Sequence, residues 1–128
     1  MRTASVFIER SPDACWREFT NAALLAAWVP GLRRARVVAT GDDGLAREVA
    51  FEFAASLTYS LVYSYEAAAR EVRWEPRVGR RDAVSGRARF EPEDAGTRVY
   101  YTADERADGD HDALLAAFQR WMERVRTP

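Results

Sequence analysis

Asp110-His111-Asp112-Ala113-Leu114-Leu115-Ala116-Ala117-Phe118-Gln119-Arg120-Trp121-Met122-Glu123-Arg124-Val125-Arg126 is the stretch that decides the fold. Leu114, Leu115, Phe118, Trp121, Met122 and Val125 recur at three- and four-residue spacing, which gathers them on one side of a helix of about 3.6 residues per turn. The spacing predicts an amphipathic helix from Asp110 to Arg126, the longest in the chain. So broad an apolar stripe must be buried against another layer, and the preceding chain has to supply it.

From Arg33 onward the apolar period is two, the signature of half-buried strands. The segments fall near Ala35–Thr40, Ala46–Ala54, Leu57–Ala67, Glu71–Val78, Val84–Glu91 and Thr97–Ala107. The connections Gly41-Asp42-Asp43-Gly44, Ala67-Ala68-Ala69-Arg70, Gly79-Arg80-Arg81-Asp82 and Pro92-Glu93-Asp94-Ala95-Gly96 are short enough to make neighbours antiparallel, so a meander is expected. Thr3 to Arg10 reads as a further strand. It is closed by Ser11-Pro12-Asp13, where serine suits an N-cap, proline the first helical turn and aspartate the positive helix end. Ala14, Cys15, Trp16 and Phe19 form the buried stripe of that helix, and after Thr20-Asn21 a second short helix spans Ala22 to Trp28, ending before Pro30. The expectation is a single α+β domain over residues 1–128: a curved antiparallel sheet of about seven strands around a long C-terminal helix, with two short helices after the first strand.

The order strand, two short helices, six strands, long helix resembles the helix-grip fold of the START and Bet v 1-like (SRPBCC) superfamily, often labelled polyketide cyclase/dehydrase or lipid-transport proteins. Ser11-Pro12-Asp13-Ala14-Cys15-Trp16, Trp28-Val29-Pro30-Gly31 and Ser85-Gly86-Arg87-Ala88-Arg89-Phe90 before Gly96-Thr97-Arg98-Val99 carry the resemblance, which covers essentially the whole chain. It implies a sheet gripping the last helix, with a cavity between them for a lipid, sterol, polyketide, quinone or other apolar molecule. Only Ala107-Asp108-Gly109 separates the last strand from the helix, fewer residues than many relatives have, which favours a small or partly filled cavity.

Composition narrows the partners. The chain has 128 residues, 48% of them hydrophobic, enough for one core. All 19 basic residues are arginines, against 20 acidic ones, so the formal charge is -1 and no general field draws in nucleic acid. Without lysine, Schiff-base and lysine-base chemistry are excluded. The lone Cys15 cannot form an internal disulfide, and a reducing cytoplasm fits best. It reads as a buried structural thiol. No apolar run approaches the roughly 20 residues of a membrane span and the first residues lack a signal-peptide core, so a soluble, unexported protein without stable membrane insertion is expected, as a monomer or homodimer. His111 and Cys15 lie far apart, and HExxH, CxxC, GxSxG, Walker and GxGxxG patterns are absent. No metal and no cofactor are expected.

The inward-facing residues are the candidate site. If Val49, Phe51 and Phe53 face inward, Arg47 shares their side while Glu48 and Glu52 face away. An unpaired buried guanidinium is costly, so Arg47 belongs at the cavity mouth, in an ion pair, or on an anionic ligand group. Tyr59, Leu61, Tyr63 and Tyr65 line one face of the next strand, as core or as a ligand wall with phenol handles. Trp74, Phe90, Val99 and Tyr101 continue that surface. Leu114, Phe118, Trp121 and Met122 of the helix are expected to oppose Phe51, Phe53, Tyr63, Trp74 and Tyr101. The expected lining is thus Arg47, Phe51, Phe53, Tyr59, Tyr63, Trp74, Phe90, Tyr101, Phe118, Trp121 and Met122. His111, flanked by Asp110 and Asp112, reads as a solvated helix-start residue, with a base in an opened pocket as the other reading. Three functions stay open: binding of a small hydrophobic or amphipathic molecule, a cyclase, dehydratase or aromatase reaction, and protein interaction through an outer sheet face bearing Arg89, Arg98 and Tyr100.

Overall fold

The computed structural model describes residues 2–54, 58–77, 85–103 and 111–124. Strand β1 (Arg2–Ile8) is followed by helix α1 (Pro12–Thr20), a 3-10 turn (Ala22–Leu24) and helix α2 (Leu25–Trp28). Strands β2 (Leu32–Thr40), β3 (Ala46–Phe53), β4 (Thr58–Glu66), β5 (Glu71–Pro76), β6 (Gly86–Glu93) and β7 (Gly96–Ala103) then lead to helix α3 (His111–Arg124). The strands form one antiparallel seven-stranded sheet in the order β1-β7-β6-β5-β4-β3-β2. β2 to β7 are a meander, and β1 closes onto β7 with Val6 opposite Val99.

Local chemistry accounts for the boundaries. The Ser11 hydroxyl accepts from the Ala14 N–H at 3.1 Å, and Pro12 takes the first helical position where no N–H is needed. The Asn21 side chain accepts from the Ala23 N–H at 3.2 Å and starts the next turn. The expected helix over Ala22–Trp28 is therefore split into a 3-10 turn and one turn of α-helix. The expected β6 stop at Glu91 is too early: the strand continues through Pro92, because Asp94 at φ 50 allows a two-residue turn with Glu93 opposite Gly96. At the Ala67–Ala69 turn Arg70 adopts φ 48, and its side chain reaches Asp13 on α1 at 2.8 Å. The Gly79–Asp82 connection, the Asp108–Asp110 lead-in and Val125–Arg126 lie outside the described residues.

The core sits between the concave sheet face and the helices. Phe19 of α1 is its hub: its ring meets Trp28 at 5.6 Å, Phe90 at 5.2 Å and Phe118 at 5.4 Å. Trp28 packs on Phe118 at 4.8 Å, and Trp16 stands edge-on to Phe90 at 5.9 Å. Burial of such rings supplies most of the driving force, with edge-on pairs adding to it. Close approaches of α3 are to β1, β7, α1 and α2. From α3, Phe118 reaches Phe90 on β6 as well as Phe19 and Trp28 of the short helices.

Candidate functional site

On that inner face, alternate residues of β3 and β4 form two linked ring groups. Phe51, Phe53 and Tyr59 are one: Phe53 stacks on Tyr59 at 5.5 Å, and Phe51 lies 5.9 Å from Tyr59. The other takes rings from β4, β5, β7 and the last helix, from Tyr65 to Tyr63 at 6.2 Å, Tyr63 to Trp74 at 6.2 Å, Trp74 to Tyr101 at 5.4 Å and Tyr101 to His111 at 5.3 Å. Register explains the adjacency, since Phe51 faces Tyr59 and Tyr63 faces Trp74. On the other side of β4, Thr58 and Ser64 are exposed, as the alternation predicts.

The phenols differ in how they are satisfied. Tyr65 donates to the Ala46 carbonyl at 2.6 Å, and burial pushes its ionisation up to about 12, opposed by the Arg47 charge. Burial raises Tyr63 well above the ordinary phenol range, with Tyr65, Tyr101 and Tyr59 close enough to add electrostatic opposition. Tyr101 is raised for the same first reason, with Tyr59 contributing. Neither Tyr63 nor Tyr101 has a hydrogen-bond partner for its hydroxyl among the described residues. Both keep some accessible surface. Their rings are largely buried in the aromatic row, while their hydroxyls are not among the sealed, unsatisfied polar atoms of the described residues.

Arg47 takes the mouth position. Its guanidinium binds Asp43 at 2.9 Å and lies over the Tyr65 ring at 5.2 Å, with 39% of the side chain exposed. The hydrogen bond to Asp43 raises Arg47 above its ordinary value and lowers Asp43 below its own.

Several expected lining residues stand elsewhere. Phe90, Phe118 and Met122 are 1%, 0% and 0% exposed. Wedged around Phe19, the two rings have no surface left to meet a ligand, and Met122 is sealed beneath α3. Trp121 turns to α1, where its indole donates to Glu18 at 3.0 Å, and does not oppose the phenols. The expected opposition of this helix face to Phe51 and Phe53 is not what its central ring makes: Phe118 meets Phe19, Trp28 and Phe90, and no ring contact joins it to Phe51 or Phe53 among the described residues. His111 is not solvated but 4% exposed, edge-on to Tyr101. Its phase explains this: His111, Leu115, Phe118 and Met122 follow at four, three and four residues, one buried stripe. Cys15 is fully buried, and burial raises its thiol pKa.

Phe19 and Trp28, the centre of the aromatic core, were not in the expected lining. Trp28 is 7% exposed and its indole N–H has no acceptor among the described residues. No cluster of histidine, cysteine and carboxylate ligands occurs among the described residues, and no described helix is long and apolar enough to cross a membrane.

Comparison with known proteins agrees with this architecture. The chain superposes with TM-score 0.80 on the ZhuI aromatase/cyclase from Streptomyces sp. R1128, at 17% identity, covering 98% of this chain and 95% of that one. A START superfamily protein from Mycobacterium smegmatis gives TM-score 0.79 at 12% identity, with 98% of each chain covered. Norcoclaurine synthase from Thalictrum flavum gives 0.74 at 12% identity, with 99% of this chain and 88% of that one covered. These likenesses establish the shared helix-grip fold. No curated protein matches the sequence. The family model described as polyketide cyclase / dehydrase and lipid transport matches residues 2–127. With the strand, paired short helices, six-stranded meander and closing helix all in place, the chain belongs to the polyketide cyclase/dehydrase and lipid-transport family.

Proposed function

We propose that this protein binds a small hydrophobic or amphipathic molecule, of lipid, polyketide or quinone type, against the inner face of β3–β5. Phe51, Phe53, Tyr59, Tyr63, Trp74 and Tyr101 form the wall and Arg47 the rim. The observation that carries this reading is the pair of phenols, Tyr63 and Tyr101, set in the aromatic row of the inner face with no hydrogen-bond partner among the described residues. A face built only to pack would lose nothing with phenylalanine there, whereas a ligand carbonyl or hydroxyl would satisfy both donors.

Burying about 300 Å² of apolar ligand surface gains roughly 7 kcal/mol. Association costs at least about 4 kcal/mol. Apolar contact alone therefore gives weak binding, and each satisfied phenol donor adds about 1 kcal/mol. The test is titration of the purified protein with the uncharged probe 1-N-phenylnaphthylamine, beside native mass spectrometry for a co-purified molecule. A saturable fluorescence rise is expected, weakened several-fold by Tyr63→Trp, which fills the space in front of β4. Absence of saturable uptake refutes the reading.

One observation favours a second reading, a cyclase- or dehydratase-type reaction. His111 places an imidazole beside Tyr101, so a proton carrier adjoins a phenol able to polarise a carbonyl. Cyclisation of a poly-β-ketone thioester faster than in buffer, and slowed by His111→Asn, is the expected result. A rate equal to buffer rejects it.

A further inference from the structure

The opposite, outer face of the sheet carries a hollow with different chemistry. Thr3 of β1, Arg87 and Arg89 of β6, and Tyr100 and Thr102 of β7 line about 280 Å³ there. Register assembles them: Arg87 stands opposite Thr102 and Arg89 opposite Tyr100, while Thr3 flanks Thr102 on the other side. No carboxylate is among these lining residues.

The donors point to a missing acceptor. The Arg89 guanidinium is fixed on two sides, lying 4.9 Å over the Tyr100 ring and donating from Nη2 to Glu91 at 3.2 Å. Its Nε–H is buried and has no acceptor among the described residues. Arg87 is exposed and joins no ion pair among the described residues. The Thr3 and Thr102 hydroxyls are 2.9 Å apart, so whichever donates, the other's proton is left for a further acceptor. Two guanidiniums and surplus hydroxyl protons around one hollow match the acceptor-rich geometry of an oxyanion.

We propose that this hollow binds the phosphate group of a small soluble phosphate ester. The formal charge of the whole chain, -1, gives no general attraction for polyanions, so recognition rests on the compact fork and not on a basic surface. Calorimetric titration of the full chain with inorganic phosphate and with glycerol 3-phosphate, at constant ionic strength, tests this. Saturable binding is expected, weakened roughly tenfold or more by Arg87→Gln and by Arg89→Gln through loss of charge-assisted hydrogen bonds. Because Arg87 is exposed, Arg87→Gln should leave the thermal midpoint unchanged, which separates loss of the site from loss of the fold. Tyr63→Phe, on the other face, should leave phosphate binding untouched. No saturable binding, or binding indifferent to Arg87→Gln, overturns the proposal. So does association with phosphatidylglycerol vesicles by a protein that does not bind inorganic phosphate, which would mark a membrane surface instead.

Discussion

Removing one oxygen from each of two neighbouring tyrosines should move stability in opposite directions. Tyr63 and Tyr65 stand on one strand face with ring centroids 6.2 Å apart, yet only Tyr65 has its hydroxyl engaged, to the Ala46 carbonyl at 2.6 Å. Tyr65→Phe deletes that bond and leaves the carbonyl short of a donor, a loss of about 1 kcal/mol. Tyr63→Phe deletes a desolvated hydroxyl that meets no acceptor among the described residues, so the unliganded protein should be unchanged or more stable by up to about 1 kcal/mol. Urea unfolding followed by tryptophan fluorescence resolves the pair. With a slope of about 2 kcal/mol per molar urea, a difference of about 1–2 kcal/mol separates the two midpoints by roughly 0.5–1 M. In the same samples Tyr63→Phe should weaken binding of flavone, whose carbonyl accepts a hydrogen bond, more than binding of 1-N-phenylnaphthylamine. If Tyr63→Phe proves as destabilising as Tyr65→Phe, the Tyr63 hydroxyl is a structural group and the proposed binding wall loses its main support.

Alkali should unfold the protein through the same phenols. Tyr65 ionises at about 12 in the fold. Since an unfolded phenol ionises near pH 10, the folded state holds the proton more tightly. Its contribution is therefore complete below about pH 10 and is lost as pH rises toward about 12, at about 1.4 kcal/mol per unit, with Tyr63 and Tyr101 acting in the same direction. A urea midpoint constant between about pH 9 and about pH 11.5 would contradict those raised values. Arg47→Ala, which removes an exposed rim pair with Asp43, should leave the midpoint at its wild-type value, and a shift as large as that of Tyr65→Phe would assign Arg47 a structural role. Phe118→Ala opens a cavity between Phe19, Trp28 and Phe90 and should cost about 3–5 kcal/mol, read from the same unfolding curves.

Periodicity made the sheet and the last helix legible, because a half-buried strand must alternate and an amphipathic helix must repeat. Hence Phe51, Tyr59, Tyr63 and Trp74 were correctly placed on one face from spacing alone. Partner choice was not legible. The stripe of α3 shows which side is buried but not which elements it meets; that Phe118 lands between Phe19 of α1, Trp28 of α2 and Phe90 of β6 is a long-range outcome that spacing does not encode. His111 was misread because its neighbours in sequence, Asp110 and Asp112, are charged. Its neighbours in the helix, four, seven and eleven residues on, are buried. Phase along the helix outweighs the polarity of adjacent residues there. Of the outer hollow, Arg89 and Tyr100 were legible as outer-face residues, but their meeting with Thr3 was not, because it depends on the first strand closing onto the last.

The lie of the Trp74 ring between the two phenols can be traced to one small residue. Gly86 begins β6 directly opposite Trp74, and a Cβ there would stand 2.7 Å from the Trp74 ring and 2.8 Å from the Thr102 carbonyl oxygen. The indole therefore lies along the sheet over a position that no other residue could occupy in this geometry. There it bridges Tyr63 and Tyr101, with ring centroids 6.2 and 5.4 Å away. Any larger residue at Gly86 would have to displace that ring and, against the Thr102 carbonyl, the β6–β7 backbone as well. The position of the indole is thus set by a glycine, and the polarity on either side of it by the two tyrosines.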